Sequence, residues 1–150
     1  MFKKIIDTAI NLNASDIHLS EGYYPFFRIN QSLQKSDKLG IVNEDIVEDA
    51  LKVLNIKNRK DYVDGVYSYK GYRLRYNILY SNGEVNITIR IIPKYIKSLY
   101  ELLLPIEIEK LNKYDRGLVL ITGKTCSGKS TTLASLINDI NLNENKKIII

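Results

Sequence analysis

Apolar residues recur at helical spacing over the first dozen positions, with Phe2, Ile5, Ile6, Ala9 and Ile10 on one side. The period then drops to two. In "SDIHLS", Ile17 and Leu19 point one way and Asp16 and His18 the other, which predicts a strand. "PFFRIN" predicts a second strand. Asn43 can cap a helix that carries Ile46, Val47, Ala50, Leu51 and Leu54 on one side. From Val66 to Ile92 the pattern is strand throughout. It is interrupted by turn signals at Lys70-Gly71 and Asn82-Gly83 and ended by Pro93.

Beyond Pro93 the character of the chain changes. "KYIKSLYELLLP" is linker-like, and Pro105 can open a short helix reaching about Lys113. "GLVLIT" is a continuous apolar run, the pattern of a parallel strand buried on both faces. A helix is predicted from Lys129 to about Asn141, and "KKIII" begins another buried strand. There is no internal repeat and no low-complexity segment. A mixed α+β order up to about Pro93, then strand–loop–helix–strand, predicts two units with a boundary between residues 93 and 104.

The strand run fixes its own register. With Asn82-Gly83 as a two-residue turn, Ser81 pairs with Glu84, Tyr80 with Val85 and Ile78 with Ile87. One face then holds Tyr72, Leu74, Tyr76, Ile78 and Tyr80 against Val85, Ile87, Ile89 and Ile91. The other holds Arg73, Arg75 and Asn77 beside Asn86, Thr88 and Arg90. Arg75 stands directly opposite Arg90. Like charges so placed destabilise a sheet unless something neutralises them. An arriving phosphate would do so, as would solvent or a nearby carboxylate. The tyrosines interleaved with Lys70, Arg73 and Arg75 could suggest base stacking. Tyr72, Tyr76 and Tyr80 fall on the apolar face, however, so they are read as core and no nucleic-acid partner is expected.

Residues 123–130 read "GKTCSGKS" and fit G-x-x-x-x-G-K-[ST] in full. Each position has a physical task. Backbone N–H groups of Gly123, Lys124, Thr125, Cys126, Ser127 and Gly128, continued into Lys129, Ser130 and Thr131, form an anion cradle at a helix start. Gly128 admits close approach of phosphate to the backbone. Lys129 sets a point charge on the β- and γ-phosphates of a nucleotide. Ser130 offers a hydroxyl to Mg²⁺. ATP with Mg²⁺ is the expected ligand. The pattern does not by itself separate kinases, GTPases and motor ATPases.

Bulk properties add limits. The chain has 150 residues, 45% hydrophobic and 26% charged, the range of an ordinary globular protein. The net charge of +5 comes from scattered lysines in a composition rich in Lys, Asn, Ile and Tyr. It reads as a solvated surface rather than a polyanion site. One cysteine, Cys126, excludes an internal disulfide and suits a reducing compartment. No apolar run reaches membrane-spanning length. The start, interrupted by Asp7, Thr8 and Asn11, is an amphipathic helix rather than a signal peptide.

Three stretches carry a resemblance. "NASDIHLSEGYYPFFRINQSLQ" is similar to the N-terminal domain of the type IV pilus and type II secretion motor ATPases, whose signature is A-S-D-[IL]-H. The continuation L-S-x-G-x-x-P resembles the pilus-retraction (PilT-like) branch. "RIIPKYIKSLYELLLP" resembles the family's linker, and "RGLVLITGKTCSGKSTTLASLINDIN" its Walker A segment. The resemblance runs in order from about Ile10 to Ile150.

The resemblance implies a PAS-like α+β domain, placed at residues 1–97, followed by the start of a RecA-like α/β P-loop domain, residues 98–150. It implies a homo-hexameric ATPase on the cytoplasmic side of the inner membrane. Such a motor would work with a pilus or secretion platform protein in pilus retraction, extension or secretion. It also implies that Arg75 and Arg90 match arginines that reach the γ-phosphate, across a subunit or domain boundary, which makes them catalytic candidates with Lys129. His18 is expected to be structural. Two departures stand out. The family has Gly where this chain has Cys126, a change either tolerated or one that creates a reactive thiol. The family's acidic segments and His-box lie downstream of "KKIII", so the 150 residues alone are expected to be inactive. The alternative is a non-hydrolysing nucleotide-binding or assembly fragment of a secretion ATPase.

Overall fold

The structure, a computed structural model, describes residues 1–57, 61–81, 83–114, 116–124 and 127–149. The chain divides into two compact units, Met1–Lys94 and Tyr95–Ile150.

Among the described residues, the first unit is one antiparallel six-stranded sheet with two α-helices and a short 3₁₀ helix (Asp37–Leu39). The strands are β1 (Asp16–Ser20), β2 (Phe26–Ile29), β3 (Ser32–Lys35), β4 (Tyr62–Tyr69), β5 (Tyr72–Ser81) and β6 (Glu84–Ile92). Their order is β3-β2-β1-β6-β5-β4, so β1 pairs with the distant β6. Helix α1 (Phe2–Asn11) and helix α2 (Glu44–Val53) supply Phe2, Ile5, Ile6, Val47 and Ala50 to the core. The apolar sheet face meets them through Ile17, Leu19, Phe27, Leu74, Ile78, Ile87 and Ile89, all nearly inaccessible.

Local signals account for the ends of these elements. Asn43 Oδ1 accepts the Ile46 N–H at 3.1 Å and caps α2, with Glu44 and Asp45 in its first turn. Lys70 and Gly71 adopt φ of 49° and 82° in the β4–β5 turn. The β5–β6 register is Ser81↔Glu84, Tyr80↔Val85, Ile78↔Ile87 and Arg75↔Arg90, as alternation predicts. Asn82, half of the predicted turn signal, lies outside the described residues.

Two strand boundaries differ from the sequence reading. β3 forms from "SLQK", whose four residues are all exposed, so no alternation announces it. β4 begins at Tyr62 rather than Val66, because Asp64 and Gly65 join the ladder opposite Asn77 and Tyr76. Gly65 is there for space. A Cβ at that position would lie 2.6 Å from Cζ of the Tyr76 ring.

In the second unit, a 3₁₀ helix (Ile106–Lys113) follows Pro105, and α3 spans Lys129–Asn143. Leu99 and Leu136 are buried. Ser135 Oγ donates to the Lys97 carbonyl, and Asn112 Nδ2 donates to Asp139 Oδ2 at 2.5 Å. The strands predicted at 118–122 and 146–150 do not form among the described residues. Leu118 and Leu120 are 82% and 74% exposed, and no ladder partner pairs with either segment. An apolar run becomes a strand only when another strand takes up its backbone groups. Ile150 lies outside the described residues. Among the described residues no helix is long and apolar enough to cross a membrane.

Candidate functional site

The predicted site residues fall in two places, Arg75 and Arg90 in the first unit and residues 123–131 in the second.

On the polar face of the sheet, register builds a row of charge. Asp16 on β1 is paired with Arg28 on β2 and with Arg90 on β6, and Arg90 with Arg75 on β5. Cross-strand partners point to the same face. The row therefore reads Arg28, Asp16, Arg90, Arg75 across four adjacent strands. The carboxylate is 6% exposed and fully engaged. Ser15 Oγ donates to Asp16 Oδ2 at 2.8 Å, and Arg90 Nε donates to Asp16 Oδ1 at 3.0 Å. Arg28 Nε stands 3.5 Å from Oδ2, while Arg28 Nη1 donates to the Gln31 carbonyl at 3.3 Å. Burial pushes the Asp16 pKa up. The Ser15 and Arg90 hydrogen bonds and the charges of Arg90 and Arg28 outweigh it and hold the carboxyl below its ordinary range.

The like-charge pair is thus relieved on one side only. Arg90 has a carboxylate; Arg75 has no hydrogen bond or ion pair among the described residues. Both side chains are exposed. They line a shallow cleft with Asp16, Tyr62, Asp64 and Thr88. His18 sits beside it, with Nδ1 3.5 Å from Thr88 Oγ1 and Nε2 buried without a hydrogen-bond partner among the described residues. Burial pushes its pKa down, against the pull of Asp16.

Asp16 and Arg28 were not singled out from the sequence. Period-two alternation places Asp16 on the polar face, but its partner Arg90 is 74 positions away. Only the β1–β6 pairing joins them.

In the second unit, Gly123 and Gly128 adopt φ of 151° and 91°, which side-chain-bearing residues avoid. A Cβ on Gly123 would also lie 2.9 Å from Ser127 Oγ. The Ser127 N–H donates to the Lys124 carbonyl at 3.2 Å, and the Thr132 N–H closes the first turn of α3 onto Gly128 at 2.8 Å. The N–H groups of Lys129, Ser130 and Thr131 precede that bond and have no intrahelical acceptor. Lys129 Nζ folds back to donate to the carbonyls of Gly123 and Lys124, at 2.9 and 2.5 Å. The result is an ammonium resting on two loop carbonyls beside a helix start whose first N–H groups have no intrahelical acceptor, an arrangement suited to an anion. Ser127, Gly128 and Ser130 are exposed. Thr125 and Cys126 lie outside the described residues.

Comparison with known proteins gives consistent matches. Residues 1–150 match the model of a family described as type II/IV secretion system protein. The type IV pilus ATPase PilU of Pseudomonas aeruginosa is 31% identical over 154 aligned positions, covering 99% of this chain and 40% of that protein. The type IV pilus retraction ATPase PilT of the same organism is 31% identical, covering 85% of this chain and 39% of that protein. A crystal structure of the pilus retraction motor PilT with bound ADP superposes with a TM-score of 0.75 at 36% identity, covering 94% of this chain and 43% of that one. The chain therefore spans about two fifths of the length of the relatives it matches.

Proposed function

The chain belongs to the type II/IV secretion system protein family and corresponds to the N-terminal portion of its pilus-retraction members; from that premise we propose that it is the ATP-binding N-terminal portion of a hexameric motor ATPase driving type IV pilus retraction. In this reading residues 1–97 form a PAS-like domain and residues 98–150 open a RecA-like P-loop domain. The protein works in the cytoplasm at the inner membrane, against a pilus or secretion platform protein.

The observation that carries the reading is the Gly123–Ser130 loop at the start of α3. Its glycines hold φ values of 151° and 91°, and its Lys129 ammonium rests on loop carbonyls, a contact that an incoming phosphate would replace. The N–H groups of Lys129, Ser130 and Thr131, which have no intrahelical acceptor, bind phosphate oxygens, and the exposed Ser130 hydroxyl is the candidate ligand for Mg²⁺. The nucleotide supplies the phosphoryl group whose transfer to water drives a motor. Arg75 and Arg90, on the polar face of the first unit, supply positive charge toward that group in the assembled protein.

The test is equilibrium binding of a fluorescent ADP or ATP analogue to the chain with Mg²⁺. Wild type binds, and Lys129→Ala weakens binding about tenfold or more, the loss expected when charge-assisted hydrogen bonds are removed. Binding that is absent from wild type, or indifferent to Lys129→Ala, overturns the reading.

A further inference from the structure

We propose that Asp16 is a positioning residue for Arg90, fixing the direction of its guanidinium so that Arg90 and Arg75 present an ordered pair to an anionic phosphoryl group. The proposal rests on the reading of Arg75 and Arg90 given above and adds a residue to it.

The geometry has three parts. First, the carboxylate is itself immobilised. Asp16 is 6% exposed on β1, between β2 and β6, and Ser15 Oγ holds Oδ2 at 2.8 Å. The Ser15 backbone is tied on both sides, its N–H to the Arg28 carbonyl and its carbonyl to the Ile91 N–H, each at 2.8 Å. Second, the contact with Arg90 uses Nε, at 3.0 Å. An Nε contact orients the plane of the guanidinium while leaving the terminal nitrogens as donors. Third, Asp16 reaches only one member of the like-charge pair. Arg75, directly opposite Arg90, has no hydrogen bond or ion pair among the described residues, so its terminal nitrogens remain available as donors. One arginine is held by a carboxylate and its neighbour has no direct ion pair among the described residues, both at the same cleft.

A side chain that only stabilised the fold would give the same contacts, so the test must separate the two roles. In the full-length enzyme, Asp16→Asn removes the charge and keeps the shape. Turnover, KM for ATP and urea stability are measured for Asp16→Asn, Arg90→Ala and the double variant. The expected result is a fall in kcat of about tenfold or more for Asp16→Asn, the scale of a misplaced catalytic group. KM should change little, and no further loss should appear when Asp16→Asn is added to Arg90→Ala. A folded Asp16→Asn enzyme with wild-type kcat, or losses that simply multiply in the double variant, overturns the proposal.

If Asp16→Asn does not fold, Ser15→Ala decides. It removes one hydrogen bond to the carboxylate and leaves the backbone ties, and a loss in kcat of roughly fivefold is expected; unchanged kcat overturns the proposal. Wild-type turnover in Arg90→Ala overturns the underlying reading as well. A large loss in Arg90→Ala beside wild-type kcat in Asp16→Asn overturns the positioning role alone.

Discussion

Arg90 on β6 and Asp16 on β1 are cross-strand partners joined through Nε and Oδ1 at 3.0 Å, although 74 positions separate them in the chain. This pairing joins the two central strands of the sheet, one of which carries one of the two candidate arginines. It also makes Asp16 the electrostatic hinge of the polar face, since the same carboxylate faces Arg28 on its other side.

The sign of its pH dependence follows. Asp16 is held below its ordinary pKa, despite burial, by Ser15, Arg90 and Arg28. A carboxyl with a depressed folded-state pKa stabilises the fold above its unfolded value, about 4, and loses that contribution as pH falls through the folded value. The difference in urea midpoint between wild type and Asp16→Asn should therefore be largest near neutrality and shrink below about pH 4. Asp7 and Glu101 are also held low, but both proteins contain them and their effect cancels. A gap between the two proteins that stays constant to pH 2.5 contradicts the assignment.

Tyr76 lies over Gly65 on the neighbouring strand, and a methyl group there would come within 2.6 Å of its ring. The ring is 7% exposed and belongs to the core, so it has little room to retreat. Gly65→Ala should cost about 1–3 kcal/mol, the range for overpacking a filled site. Urea unfolding checks this, and Gly65→Ala combined with Tyr76→Leu should recover part of the loss. Equal stability of Gly65→Ala and wild type would show that the ring can move aside.

Helix α2 packs Ile46, Val47, Ala50 and Leu51 into the core and begins at the Asn43 cap. Asn43→Ala leaves the Ile46 N–H without its side-chain acceptor. The expected loss is about 1 kcal/mol, and Asn43→Asp or Asn43→Ser should retain most of the stability. A midpoint for Asn43→Ala equal to that of the wild type would mean that water replaces the cap.

What was legible in the chain was what short-range chemistry decides. Alternation and the Asn-Gly signal gave the β5–β6 register down to the Arg75–Arg90 pair, and helical spacing gave the buried faces of α1 and α2. β3 was not legible because its residues are exposed and alternate nothing. The run from Leu118 to Thr122 misled for the opposite reason. Its pattern specifies a strand between two others, and among the described residues no neighbour pairs with it. At the candidate site the loop was visible as a contiguous motif. The contact of Asp16 with Arg90 was not, because it depends on which distant strand lies beside β1.

Arg75 and Arg90 should separate when stability and catalysis are measured side by side. Removing Arg75 takes away a like charge that makes no direct ion pair among the described residues, so Arg75→Ala should leave urea stability unchanged or slightly raised. Removing Arg90 takes the Nε donor from a buried carboxylate that keeps only Ser15 and Arg28. The side chain is 71% exposed, so the loss should stay near about 1 kcal/mol. In the full-length enzyme both substitutions should act alike on the reaction. A guanidinium aimed at a transferring phosphoryl group stabilises charge that develops in the transition state, so kcat should fall by about a hundredfold or more while nucleotide affinity changes far less. Lysine at either position should not restore full turnover, because a point charge lacks the planar fork of arginine. The measurements are urea midpoints, nucleotide Kd and steady-state kcat for Arg75→Ala, Arg90→Ala and the two lysine variants. Near-normal turnover in both alanine variants would leave Arg90 as the partner of Asp16 and Arg75 as an exposed charge, with no part for either in the chemistry.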